Sequence, residues 1–223
     1  MTKKLLFQTA SKFVIGICLV AALLFLPAGT LRYLNGWLLL LVLFLPMLAV
    51  GIVLMIKNPE LLKKRLDAKE KETEQKAVIL LSGLMFLAAF LAAGFSFRFH
   101  WLLFPRWVVM LGTVLFLFSY GLYAEVLREN TYLSRTVEVQ ENQKVIDTGL
   151  YGLVRHPMYA ATLLLFVSMG LILGSPISVG ILLFYIPILV YRIKNEETVL
   201  EEGLAGYADY KTRVRYRLIP FLW

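Results

Sequence analysis

Six long apolar runs, separated by short segments that hold nearly all the charge, constrain this chain more than any other feature. A helix needs about 20 apolar residues to cross the hydrocarbon layer of a bilayer. Only helices and closed barrels satisfy every backbone polar group there. The runs fall at about Phe13–Leu26, Trp37–Ile56, Ala77–Phe97, Trp107–Leu127, Tyr159–Leu173 and Ile177–Ile193. The last two are short, and only Gly174-Ser175-Pro176 separates them, so they should form a helical hairpin. Gly170 and Gly174, four residues apart, would let its arms approach closely. The expected fold is an all-α integral membrane protein of about six transmembrane helices, ending in a cytoplasmic C-terminal helix. With 59% hydrophobic residues in 223, the chain is too apolar for a soluble domain of that length.

The charges orient the spans. With the N-terminus inside, only Arg32, Arg98 and Arg106 of the 23 lysines and arginines fall outside. An even number of spans keeps the basic tail inside as well, so both termini should be cytoplasmic. The formal charge of +8 does not mark a nucleic-acid binder, because it is spread between apolar runs. Lys3, Lys4 and Lys12 precede the first run like a signal peptide, but no small-x-small cleavage site follows, which predicts a retained span. The lone cysteine, Cys18, lies inside that run and allows no disulfide within the chain. The connector 57–76 has Leu61, Leu62 and Leu66 at helical spacing and reads equally as an interfacial amphipathic helix or a solvated link.

Residues 1–128 therefore read as a transmembrane scaffold, and 129–223 as the region that carries chemistry. There are two histidines, His100 and His156, at opposite faces of the membrane, and no cysteine cluster. No metal site is expected. Neither a Gly-rich phosphate loop nor a Gly-x-Ser-x-Gly elbow is present. The stretch Glu129–Met158 is polar. Within it, Thr136–Val139 and Lys144–Ile146 flank Gln140–Gln143, which suggests a small hairpin, and Asp147-Thr148-Gly149 reads as a turn. Arg155-His156-Pro157-Met158-Tyr159 opens the fifth span, and Pro157 suits a first helical turn.

At the other mouth of the helical hairpin, Arg192 and Glu196 share a helix face, with Glu197 beside them. Taken singly, Arg155 reads as a snorkelling anchor, Tyr159 as an aromatic-belt residue, and Arg192 with Glu196 as a surface ion pair. Taken together, two polar clusters meet at one end of one hairpin beneath an apolar roof. A site for a polar cofactor and a lipophilic substrate needs that arrangement.

The pattern Gly149, Tyr151, Arg155-His156-Pro157-Met158-Tyr159, Arg192, Glu196-Glu197, Tyr207, Tyr210 and Pro220 resembles the isoprenylcysteine carboxyl methyltransferases and their bacterial relatives. These are themselves related to phospholipid N-methyltransferases. The resemblance covers about Thr136 onward. It departs from the eukaryotic pattern at Gln143, where those enzymes have His, at Ala161, where they have Gly, and at Leu204-Ala205, where they have Phe-Gly.

The resemblance implies a multi-pass methyltransferase of a prokaryotic plasma membrane that uses S-adenosyl-L-methionine. The implied cofactor contacts are Gln143, Lys144, Val145 and Ile146, more loosely Gln140, then Tyr151, His156, Pro157, Met158, Tyr159 and Glu196. Arg192 would orient the substrate, and Arg155, Glu197, Tyr207 and Tyr210 would support the site. The implied partners are membrane lipids and a lipophilic or lipidated substrate, with no nucleic acid. O-methylation of a carboxylate is the leading reaction, with N-methylation of an amine headgroup, reduction with NADPH, or a non-enzymatic role as alternatives.

Overall fold

The computed structural model describes residues 3–57, 59, 62, 73–130, 132 and 139–223. The expected amphipathic helix in the connector 57–76 and the first arm of the expected hairpin, residues 136–138, lie almost wholly outside them. Four long helices come first: α1 (Lys3–Ala28), α2 (Leu34–Lys57), α3 (Thr73–Arg98) and α4 (Arg106–Glu129). A single 3-10 turn, Gly149–Gly152, precedes α5 (Pro157–Ile172), α6 (Pro176–Leu183), α7 (Tyr185–Gly203) and the short α8 (Tyr207–Arg213). Among the described residues there is no strand. The Gln140–Gln143 turn does form, closed by Gln143 N–H donating to Gln140 O at 3.1 Å. Val139 and Val145, on either side of that turn, pack against the cluster of Leu204, Tyr207, Tyr210 and Val214.

Among the described residues, five segments are long and apolar enough to span a bilayer: Leu6–Ala28, Leu34–Lys57, Lys76–Arg98, Arg106–Glu129 and Pro176–Gly203. The hairpin is therefore not made of two short arms. α5 has 16 residues, about 24 Å of helix against about 30 Å of hydrocarbon. α6 and α7 abut at Phe184 as one rod of 28 residues. Pro187, which lacks an N–H for the carbonyl of Leu183, accounts for the break at that point. Beyond the apolar run, Arg192–Glu202 has no proline or glycine, so the helix runs on into polar sequence until Gly203.

The hairpin turn sits where the sequence places it. Gly174 has φ +72°, Ser175 Oγ caps α6 by accepting from Ser178 N–H at 3.2 Å, and Gly170 faces the other arm. A Cβ on Gly170 would stand 2.7 Å from Val179 Cγ2 and 2.9 Å from Val179 N, so only glycine permits this crossing. Three links gather the loops at this end of the bundle. Tyr33 O–H donates to Leu173 O at 2.6 Å, Ser96 and Ser175 share a hydrogen bond at 3.0 Å, and Phe104 N–H donates to Gly174 O at 2.9 Å. Arg32, Arg98 and Arg106 thus lie at one end, and Arg155, Arg192 and Glu196 at the other.

The core between the helices holds Leu24, Leu39, Phe116, Ile172, Leu182 and Ile193, all without exposure. Leu41, Leu80, Met110 and Val114 are exposed on the outer surface, as lipid-facing residues must be.

Gly170→Leu should force α5 and α6 apart. We expect a loss of about 1–3 kcal/mol, read as a lower melting temperature in detergent. Gly180→Ala, where an added Cβ meets nothing within 4 Å, should leave it unchanged or raise it.

Candidate functional site

The polar end is organised around one carboxylate. Glu197, on α7, is only 3% exposed, yet two guanidinium groups and an imidazole surround it. Arg155 Nε donates to Glu197 Oε1 at 2.8 Å, and His156 Nε2 lies 3.2 Å from the same oxygen. Arg217 Nε donates to Oε2 at 3.0 Å. Arg155 is buried and spends a second nitrogen on the carbonyls of Val214 and Arg215, at 2.7 and 2.8 Å. It is no snorkelling anchor: its head points inward, tying the start of α5 to α7 through Glu197 and to the tail through the two carbonyls. Backbone bonds continue the clamp, with Arg155 N–H to Tyr216 O and His156 N–H to Arg217 O, both 2.9 Å.

Above this cluster Tyr159 joins the two arms. Arg192 Nε donates to the Tyr159 hydroxyl at 2.8 Å, and that hydroxyl donates in turn to Glu196 Oε2. The pair expected on one helix face is thus linked through a buried phenol from the facing helix rather than left as a surface ion pair. The Arg192 guanidinium also lies 5.6 Å from the Tyr159 ring centre, and the His156 ring stacks on Tyr159 at 5.7 Å.

The loop before α5 forms the third wall. Gly149 has φ +53°, and a Cβ there would collide with the Glu129 carboxylate. Glu129 occupies that space to accept from Leu150 N–H at 3.0 Å, fixing the 3-10 turn to the end of α4. The turn presents Tyr151, whose hydroxyl accepts from Asn130 Nδ2 at 2.9 Å. Burial, only partly opposed by that bond, pushes the Tyr151 phenol up to about 12. It stays neutral at physiological pH and can donate. α8 closes the site: Tyr210 O–H donates to Tyr151 O at 2.8 Å. The Tyr207 hydroxyl is buried and has no hydrogen-bond partner among the described residues.

These walls line a cleft of about 100 Å³ that opens to the surface. Gln143, Lys144, Val145, Ile146, Tyr151, Arg155, His156, Met158, Tyr159, Arg192, Glu196, Tyr207 and Tyr210 all line it. Three residues singled out in the sequence do not. Gln140 turns away, its amide donating to Tyr132 O at 2.5 Å. Pro157 is buried as the first residue of α5, and Glu197 lies beneath the floor. Asn130, Tyr132, Leu200 and Leu204 line the cleft without having been singled out. Asn130 and Tyr132 carried one usable signal, polarity directly after a membrane span.

Residues 107–205 match the family model described as phospholipid methyltransferase, a membrane methyltransferase family. The match runs from α4 through α7 and leaves out α8 and the clamped tail. The chain is also similar to the delta(14)-sterol reductase TM7SF2 of Mus musculus, at 26% identity over 91 residues. That similarity covers 40% of this chain and 22% of the reductase, so the chain spans about a fifth of the relative it matches.

Glu197→Ala should strand two guanidinium groups, one of them buried, and cost roughly 3–5 kcal/mol of stability. Glu196→Ala removes a half-buried carboxylate at the cleft edge and should cost far less. Thermal unfolding of the two variants in the same detergent checks the order.

Proposed function

We propose that this protein is a membrane methyltransferase that takes its methyl group from S-adenosyl-L-methionine and transfers it to a lipophilic acceptor. The observation that carries this reading is the convergence, in one cleft, of Arg192, Tyr159 and Glu196 from the facing helices with Gln143–Ile146 and Tyr151 from the loop. The match to the phospholipid methyltransferase family model supports the same class.

The donor set fits the cofactor. Glu196 offers a carboxylate to hydroxyl or amino groups, and the Tyr159 ring already lies near a cation, the Arg192 guanidinium. An aromatic face suits a sulfonium equally. When bound, S-adenosyl-L-methionine supplies an electrophilic methyl group on that sulfonium. The work left to the protein is alignment and exclusion of water, and the apolar helices around the cleft serve the second. A carboxylate acceptor needs no general base, because its charge is neutralised as the methyl arrives. It needs a cation to orient it, and Arg192, with a planar fork that binds carboxylates at two points, is placed for that role. The cofactor would enter from the aqueous side and the acceptor from the bilayer. We place the cleft on the cytoplasmic side, because Lys57, Lys144, Lys194 and Lys211 lie toward it.

Two other readings each have an observation in their favour. The family match favours N-methylation of a phospholipid amine, which requires a proton acceptor, and His156 lines the cleft. The sterol reductase similarity favours a nicotinamide cofactor.

Thermal stabilisation by S-adenosylhomocysteine but not by NADPH is expected, and the reverse result would replace the methyltransferase reading with a reductase. A hydrogen bond to a charged group contributes about 1.5–3 kcal/mol, so Glu196→Ala should weaken S-adenosylhomocysteine about tenfold or more.

Arg192→Lys keeps the charge and loses the fork. With a carboxylate acceptor it should lower turnover while cofactor affinity changes far less. Full activity of Arg192→Gln on a carboxylate would remove Arg192 from this role and favour an amine acceptor.

A further inference from the structure

Tyr207 is 4% exposed, it lines the cleft, and its hydroxyl has no partner among the described residues. A buried hydroxyl without a hydrogen bond is costly, and its persistence points to a group that arrives from outside the chain. The contrast with Tyr210, one turn along α8, is direct: that hydroxyl is used, donating to Tyr151 O at 2.8 Å.

The surroundings of Tyr207 say what kind of group would fit. It belongs to a small apolar cluster, separate from the main core, with Leu204, Tyr210, Val145 and Leu200 at the cleft wall. The cleft therefore has two chemically different ends. One is charged, with Arg192, Tyr159 and Glu196. The other is aromatic and aliphatic, and of its two tyrosine hydroxyls among the described residues only that of Tyr207 is unpartnered. Burial first, then the Glu197 and Glu196 carboxylates, hold that phenol well above its ordinary value. It is a neutral donor, and an uncharged ring with a lone-pair acceptor suits it.

We propose that Tyr207 is a nucleobase-binding residue whose hydroxyl donates to a ring nitrogen of the adenine of the bound S-adenosyl cofactor, with the ring lying in the apolar end of the cleft. The inference rests on the reading of the cleft as an S-adenosyl site, and it assigns the adenine of that ligand to the apolar end of the cleft.

The test uses the full chain in detergent, with Tyr207→Phe, S-adenosylhomocysteine and its 1-, 3- and 7-deaza analogues, each lacking one ring acceptor. One neutral hydrogen bond corresponds to an affinity change of about three- to tenfold. Tyr207→Phe should weaken S-adenosylhomocysteine by that factor. It should not lower the melting temperature of the unliganded protein, since the hydroxyl has no partner there to lose. One deaza analogue should bind the native chain more weakly by a similar factor and bind Tyr207→Phe with no further loss. Equal affinity of the native and Tyr207→Phe chains overturns the inference. So does a full deaza penalty, for every analogue, that survives in Tyr207→Phe. Failure of the native chain to bind S-adenosylhomocysteine at all overturns the reading of the cleft and this assignment with it.

Discussion

The buried carboxylate of Glu197 is the contact on which the polar half of this protein depends. Desolvating a carboxylate is expensive, and the cost is offset only when its oxygens are filled with good geometry. Here they are filled from two separate parts of the chain: Arg155 and His156 at the start of α5, and Arg217 in the tail. Arg155 then has a second nitrogen to spare, and it takes the carbonyls of both Val214 and Arg215. One charge therefore decides where α5 begins relative to α7 and where the tail runs. α8, held between them, has no freedom to sit anywhere but against the cleft.

The next consequence is a division of labour along a single helix. The apolar first part of the rod from Pro176 to Gly203 packs in the bundle through Leu182 and Leu189, which are almost fully buried. Its last turns carry Arg192, Glu196 and Glu197 on the side facing α5. Within α7, helical phase links Leu189 to these groups, so its packing in the bundle sets their aim. Tyr159 then ties the charged residues of α7 back to α5 through its hydroxyl. Residues that must be placed accurately stand on regular helices, and the loop contributes Tyr151, itself pinned by Glu129 and Asn130 through the 3-10 turn.

Much of this was legible in the sequence for physical reasons that can be named. Apolar runs of bilayer length read directly as helices. Pro157 marked a helix start, Gly170 a close crossing, and the i, i+4 spacing of Arg192 and Glu196 a shared face. The features that were not legible are non-local. Arg217 meets Glu197 across 20 residues and Arg155 meets the Val214 carbonyl across 59. No periodicity records such pairings, so the tail arginines read only as topology signals and Arg155 as an interface anchor. The length of α7 was misjudged because hydropathy marks where a helix leaves the apolar phase, whereas helix propensity and glycine mark where it ends.

The clamp between residues 155–156 and 214–217 also orders events during synthesis. Chain growth of about 5–20 residues per second puts roughly 3–12 s between the emergence of Arg155 and that of Val214, 59 residues later. The five candidate spans among the described residues precede Val214, so they can be threaded into the membrane while the wall formed by α8 is still unlatched. Arg155 and Glu197 can meet early, since both lie before α8. The carbonyls and the second guanidinium that complete their shell come last. Newly made protein thus passes through a stage in which the bundle is inserted and the cleft is still open on one side, and the wall formed by α8 is latched only once residues 214–217 have followed.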